Sequence, residues 1–239
     1  MGMAMTVTVA VAMAMAMAAE REAPLVGVLT PPTTQNIVMT CDFEAPFDLF
    51  EISSFIGTEF NPKRFAAATL RLARSRTTAL LFASGKVVCT GSKSIWSGGF
   101  AAAYLVDKLR GAGCSICCSE FTVQNIVCSA RVDCMVDLEA LARANSSEAS
   151  YEPELFPGLV YRPSNGKLVV LFFKTGELVI TGGRNFGDVM HMFRQARRVV
   201  FPHAQPLSEA ERTKRASPTA VVAAVQRAAG SSDEGRPAS

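Results

Sequence analysis

Histidine is almost missing from this sequence. His191 and His203 are the only two, and no HExxH, GxSxG or P-loop pattern occurs anywhere in the chain. The common arrangements for metal-assisted hydrolysis, acyl transfer and nucleotide binding therefore have no starting point. Gly182-Gly183 follows an apolar run but lacks the rest of a dinucleotide fingerprint, so no enzyme activity and no cofactor are expected. A surplus of one charge is lacking too: 24 basic and 21 acidic residues leave a net charge of +3. Composition thus does not announce a nucleic-acid ligand, and any such ligand must be argued from arrangement. With 239 residues, 49% hydrophobic and 19% charged, the chain can bury one good-sized core or two small ones, which excludes disorder throughout.

The cysteines lack the even count and regular spacing of a secreted disulfide scaffold. There are seven, four of them (Cys114, Cys117, Cys118, Cys128) within fifteen residues, a usage that fits reduced thiols inside a cell. The CxxCC run at 114–118 could offer three thiolates to zinc, but no second CxxC or CxxH follows it, and no metal site is assigned. The first nineteen residues carry no charge and no basic flank precedes them. Residues 1–34 are accordingly read as a disordered leader, in preference to an export signal or a membrane span. Past Gln205 the chain turns to Ala, Ser, Glu, Arg and Pro, and residues 206–239 are read as a mostly disordered tail with one helix near Ala220 to Ala229.

What the sequence does have is an internal repeat. Gln35-Asn36-Ile37-Val38 returns as Gln124-Asn125-Ile126-Val127, and twelve positions past each Asn an Asp-Leu pair opens an amphipathic run, at Asp48-Leu49 and Asp137-Leu138. Phe82-x-Ser84-Gly85-x-Val87-Val88-x-Thr90-Gly91 returns as Phe173-x-Thr175-Gly176-x-Leu178-Val179-x-Thr181-Gly182. Seventeen residues before each of those phenylalanines stands another, Phe65 and Phe156. The boundaries that follow are 35–123 for the first copy and 124–205 for the second.

Each copy reads as a strand, a helix, several strands and a closing helix. In the first, Asn36 to Cys41 alternates as a strand, Phe47 to Ile56 has helical spacing, and Arg64 to Arg71 is extended. Ser84-Gly85 marks a hairpin, and a helix is expected from about Phe100 to Arg110, ended by Gly111 and Gly113. The second copy has a strong turn signal at Asn165-Gly166 and a closing helix from about Phe186 to Val199. Neither copy has enough helix to cover both faces of a sheet, so the two are expected to share one antiparallel sheet in an α+β fold. Ala79 and Leu81 can then pack under the helices, whereas Leu80, Phe82, Val88 and Thr90 point to a face that nothing in the sequence is left to cover. An open apolar sheet face calls for a large partner contacted through nonpolar atoms.

These motifs resemble the TATA-box-binding protein family from about Gln35 to Pro202. Phe60-Asn61-Pro62-Lys63-Arg64-Phe65-Ala66-Ala67 and Arg76-Thr77-Thr78-Ala79-Leu80-Leu81-Phe82 are similar to the family's first-repeat strands. Tyr151-Glu152-Pro153-Glu154-Leu155-Phe156-Pro157-Gly158-Leu159 is similar to its second-repeat signature almost letter for letter. The resemblance implies two tandem repeats forming one curved antiparallel saddle with helices on the convex face. It also implies a nuclear general transcription initiation factor that binds and bends A·T-rich promoter DNA through the minor groove.

By the same resemblance Phe65 with Phe82, and Phe156 with Phe173, are wedges that pry open a base step at each end of the site. Asn36 and Asn125 are central amide contacts, Thr90 and Thr181 a second polar pair, and Val38, Val127, Leu80, Leu171, Val88 and Val179 an apolar floor that favours A·T pairs. Phosphate contacts are expected from Arg64, Arg71, Arg76, Lys86, Arg162 and Lys167. Glu152, Glu154 and Leu155 match the surface the family offers to general transcription factor IIB, and Glu59 lies near the edge used by factor IIA; polymerase-specific associated factors are further partners. No membrane contact is expected, and a self-dimer of the free protein is left open. Two departures stand out: Glu177 where a base equivalent to Lys86 is expected, and a helix after Trp96 whose only bases are Lys108 and Arg110. They leave as the alternative a divergent member that acts through protein partners with altered or no TATA binding.

Overall fold

The computed structural model describes residues 30–208, apart from 115, 117–119 and 165. The leader up to residue 29, the tail from residue 209 with its Ala220 to Ala229 segment, most of the CxxCC run and Asn165 of the Asn165-Gly166 turn lie outside the described residues.

The first copy runs β1 (Thr33–Asp42), α1 (Leu49–Ile56), β2 (Ala67–Leu72), β3 (Thr77–Phe82), β4 (Lys86–Ser92) and α2 (Ile95–Gly111). The second runs β5 (Thr122–Arg131), β6 (Met135–Val136), α3 (Leu138–Ala144), β7 (Ala149–Ser150), β8 (Gly158–Tyr161), β9 (Val169–Phe173), β10 (Glu177–Gly183) and α4 (Phe186–Val200). A 3-10 turn (Phe201–His203) and β11 (Ala204–Gln205) follow, β11 pairing with β6. Among the described residues, the other nine strands make one antiparallel sheet in the order β2-β3-β4-β1-β5-β10-β9-β8-β7. Apart from β7, whose first-repeat counterpart is only the isolated bridge of Glu59 to Thr69, the order reads the same outward from the β1·β5 pair, so the duplication of sequence has become a pseudo-twofold axis between those two strands. Ile37 pairs with Ile126 on that axis, Asn36 with Val127 and Val38 with Asn125.

Alternation along each strand sorts its side chains onto two faces. Ile37, Met39 and Cys41 of β1, Ala79 and Leu81 of β3, and Val87 and Cys89 of β4 are buried under the helices in the main core, together with Leu105 and Leu109 of α2. Burial pushes the Cys89 thiol up to about 12, with Cys41 beside it adding to the effect, and raises Cys128 as well. These cysteines are core residues and not nucleophiles.

Helix starts follow capping chemistry. The Asp48 carboxylate accepts from the backbone N–H groups of Phe50 and Glu51, and Asp137 accepts from that of Ala140, each worth about 1 kcal/mol. The expected start of α2 near Phe100 is corrected to Ile95, because Ser94 and Ser97 form a reciprocal capping box one turn earlier. The expected extended run from Arg64 to Arg71 is also corrected. The N–H groups of Arg64 and Phe65 both donate to the Asn61 carbonyl, closing a turn, and the strand begins only at Ala67.

Candidate nucleic-acid interface

The face opposite the helices carries the residues singled out by the repeat. At its centre, Asn36 and Asn125 sit in the same environment twice over. The Asn36 Oδ1 accepts from the Gly91 N–H at 2.7 Å, and the Asn125 Oδ1 accepts from the Gly182 N–H at 2.8 Å. Each Nδ2 lies 3.2 Å from the hydroxyl of Thr90 or Thr181. Each amide is thus held at both ends, its carbonyl oxygen by a backbone N–H and its amino group by a threonine hydroxyl, and the amino group keeps a second hydrogen for another acceptor.

Gly91 and Gly182 can hold those N–H groups in place because they adopt φ values of 96° and 93° in irregular stretches of β4 and β10. A Cβ there would stand 2.7 Å from the carbonyl oxygen of Arg76 or Lys167, so the recurring Thr-Gly is a requirement of backbone geometry. Sequence reasoning missed the glutamines of the two QNIV motifs. The Gln35 Nε2 donates to Ser129 at 2.7 Å and the Gln124 Nε2 donates to Thr40 at 2.8 Å, tying β1 to β5 symmetrically across the axis. Their repetition beside each Asn was the available signal.

At the two ends of the face stand the phenylalanine pairs. The rings of Phe65 and Phe82 lie 6.3 Å apart at 68°, and those of Phe156 and Phe173 lie 5.9 Å apart at 66°. Edge-to-face rings of this kind form a firm apolar block. Between ends and centre the halves differ. Leu80, Val88 and Val38 are half-buried, whereas Leu171, Phe173 and Val179 are buried and form a small cluster of their own, packed by Val127, Phe156, Val160 and Val169. The first-repeat residues expected to be uncovered, Leu80, Phe82, Val88 and Thr90, are all half-buried, whereas the second-repeat counterparts Leu171, Phe173 and Val179 are packed among neighbours on the same face. Val160 and Val169 stand there at the positions of Thr69 and Thr78, and with a methyl of nearly the same size in place of each hydroxyl they make the surroundings of Leu171 apolar throughout.

All six bases named as phosphate contacts, Arg64, Arg71, Arg76, Lys86, Arg162 and Lys167, are exposed. They belong to the strands and turns around the face and not to its floor. Glu152, Glu154 and Leu155 are exposed on a turn closed by N–H donation from Leu155 and Phe156 to the Glu152 carbonyl. Glu59 is exposed and bridges to Thr69, capping the free edge of β2. Among the described residues no group of three or more His, Cys, Asp or Glu could hold a metal ion, and no helix is long and apolar enough to cross a membrane. Cys114 is half-buried, while Cys117 and Cys118 of the same run lie outside the described residues.

Such an arrangement defines a two-repeat α+β saddle with helices on one face and a mirrored constellation of rings and amides on the other. The family model described as "Transcription factor TFIID (or TATA-binding protein, TBP)" matches residues 31–112 and 120–203. The chain is 42% identical over 176 residues to TATA-box-binding protein 2 of Arabidopsis thaliana, covering 70% of this chain and 88% of that one. It is 44% identical over 163 residues to TATA-box-binding protein 1 of Triticum aestivum, covering 68% and 70%. The solved structure of Methanococcus jannaschii TBP superposes with a TM-score of 0.63 at 32% identity, covering 70% of this chain and 97% of that one. The chain belongs to the TATA-binding protein family.

Proposed function

We propose that the chain is a nuclear transcription initiation factor, without enzymatic activity, that binds A·T-rich promoter DNA through the minor groove and bends it. The observation that carries this reading is the doubled constellation on the open face: an aromatic pair at each end and, at the centre, two amides held alike by a glycine N–H and a threonine hydroxyl. The minor groove of A·T pairs presents only the acceptors of adenine N3 and thymine O2, which an Nδ2 donor can meet, whereas guanine adds an amino group that an apolar floor repels. Rings inserted at two base steps unstack and bend the duplex, at a cost of a few kcal/mol per step offset by the longer contact, a mode for which this family is a type example. The exposed bases around the face supply the phosphate contacts that fix register. General transcription factors IIA and IIB, at Glu59 and at the Glu152 to Leu155 turn, and polymerase-specific associated factors complete the preinitiation assembly. The same face would accept a second copy of the chain when no DNA is bound.

The test is binding and bending of a short duplex carrying a TATA element, compared at one salt concentration with a G·C-substituted duplex, for the wild type and for Phe65→Ala and Phe156→Ala. Selective, bending binding that both variants lose while remaining folded is the expected result. Well-folded wild-type protein with no selectivity would leave the alternative, a divergent member working through the Glu152 to Leu155 surface.

A further inference from the structure

The duplication supplies an internal control for the open face. Thr69 of β2 pairs with Leu80 of β3, and Leu80 with Val88 of β4; in the second repeat Val160, Leu171 and Val179 stand in the same three places. Strand alternation puts Thr69 on the open face, since its neighbours Ala68 and Leu70 pack on the core beneath. Its rung is the next one in from that of Ala67 and the wedge ring Phe82. The first-repeat floor thus carries a hydroxyl, directly inside the aromatic pair, where the second-repeat floor has a methyl.

The fold makes no use of that hydroxyl. Thr77 donates to the Ser75 carbonyl at 3.2 Å and Thr90 to the Asn36 amide oxygen at 3.3 Å, but the Thr69 side chain makes no hydrogen bond among the described residues. Thr69 is held by its backbone, whose N–H donates to the Glu59 carbonyl at 2.8 Å and whose carbonyl accepts from the Glu59 N–H at 3.1 Å. Valine, at the equivalent position 160, suits a strand equally well, so pairing does not call for the oxygen.

Covering the face with a duplex strips water from the half-buried Thr69, and a hydroxyl left there without a partner would weaken binding. The minor groove of A·T pairs offers acceptors only, while a G·C pair adds the guanine amino group, a donor. A hydroxyl both donates and accepts and so can meet either, whereas a valine methyl leaves the amino group unpaired. Resting on the reading of the open face as a minor-groove surface, we propose that Thr69 determines specificity: its hydroxyl accepts from a guanine amino group, so the first-repeat half of the site admits a G·C pair that the second-repeat half, with Val160, excludes.

The test is fluorescence anisotropy of the full chain with a palindromic A·T-rich duplex, whose two halves are equivalent before substitution. One series places a single G·C pair at successive positions of one half, and a second series places it at the same position in both halves. Wild type should bind the best singly substituted duplex within about threefold of the parent, by seating the G·C pair under the first repeat, and its doubly substituted counterpart about tenfold or more weakly. Thr69→Val should bind the parent as wild type does and lose about tenfold on the singly substituted duplex. The reciprocal Val160→Thr should recover the doubly substituted one. Inosine in place of guanine removes the amino group and should abolish both losses. Wild type that binds the parent but loses about tenfold on every singly substituted duplex overturns the proposal and leaves the reading of the open face intact, as does a Thr69→Val variant with wild-type tolerance. Failure of wild type to bind the parent duplex removes that reading, and the proposal with it.

Discussion

Glu177 faces Arg131 across the β10·β5 pair, at the place where Lys86 faces Asp42 across the β4·β1 pair. Both repeats thus carry one acid and one base at this end of the open face, with the strands exchanged. The missing base at position 177 is matched by an added one on the neighbouring strand, and the flank keeps its balance of charge. Position is what changes: the cation moves from the β10 equivalent of Lys86 toward the pseudo-twofold axis. Glu177→Lys should then place two cations side by side. We expect tighter binding to an A·T-rich duplex, a log–log salt slope steeper by about 1, and a loss of about 0.2–1 kcal/mol of stability from like charges on paired strands. Binding titrations from 50 to 200 mM salt on wild type and variant check this; an unchanged slope would mean that this flank does not reach the phosphates.

The central amides give a sharper prediction. In Asn36→Asp and Asn125→Asp the acceptor for the Gly91 or Gly182 N–H is retained, so the bulge and the fold should persist. The amino donor is replaced by a carboxylate oxygen, which has no hydrogen to offer the acceptors of A·T pairs. Each variant should lose about 1–3 kcal/mol of binding, roughly tenfold to a hundredfold in affinity, with a melting temperature close to wild type. Parallel DNA titration and thermal melts would separate this from simple unfolding. Unaltered affinity would show that the amides serve the backbone alone.

The two-repeat plan was legible in the sequence because it rests on local signals that recur in register: QNIV, the Asp-Leu starts, and the Thr-Gly pairs that the backbone requires. The start of α2 was not legible because Gly98 and Gly99 conceal a beginning fixed by Ser94 and Ser97. Features that depend on which strands become neighbours were not legible. The cluster of Leu171, Phe173 and Val179 is packed by Val127, Phe156, Val160 and Val169 from separate strands, and the exchange of charges between Lys86–Asp42 and Glu177–Arg131 exists only once register is known. Nor could helical spacing tell that Trp96, Phe100 and Tyr104 face water, since such rings more commonly mark a core.

Glu148 links fold stability to the turn that carries two candidate phosphate contacts. Its carboxylate accepts from the Ser164 N–H and hydroxyl and from the Tyr161 hydroxyl, all at 2.8 Å, and its carbonyl accepts from the Arg162 N–H. The Ser164 donors, then Tyr161, hold the carboxyl below its ordinary value of 4.5. A lowered folded-state value means stability that is present above the unfolded value and lost as pH falls through the folded one. Tyr161 is pushed the other way, up to about 12, by burial first and by Glu148 second; its contribution is present below pH about 10 and lost as pH rises toward 12. Glu148→Gln should melt below wild type at pH 7, with the gap shrinking as pH drops under about 4. A gap that stays constant between pH 7 and 3 would show that the carboxylate is not what holds Ser164.

Gly158 tests whether the aromatic pair works as a rigid block. A Cβ at this position would stand 2.7 Å from the Phe156 ring and 2.9 Å from that of Phe173, whereas the first repeat accommodates Ala67 at the same place, opposite Phe82. The closer second pair, at 5.9 Å against 6.3 Å, is therefore built around a missing side chain. Gly158→Ala should force the two rings apart and cost about 1–3 kcal/mol by overpacking. If the rings act together as a wedge, DNA bending measured by end-to-end energy transfer should fall more than affinity does, because the other repeat still anchors the duplex. Ala67→Gly in the first repeat should not impair bending, since it removes volume without moving Phe65 or Phe82. A variant at 158 that is destabilised yet bends DNA as wild type does would show that the pair is packing for the sheet, and that the bend is made elsewhere on the face.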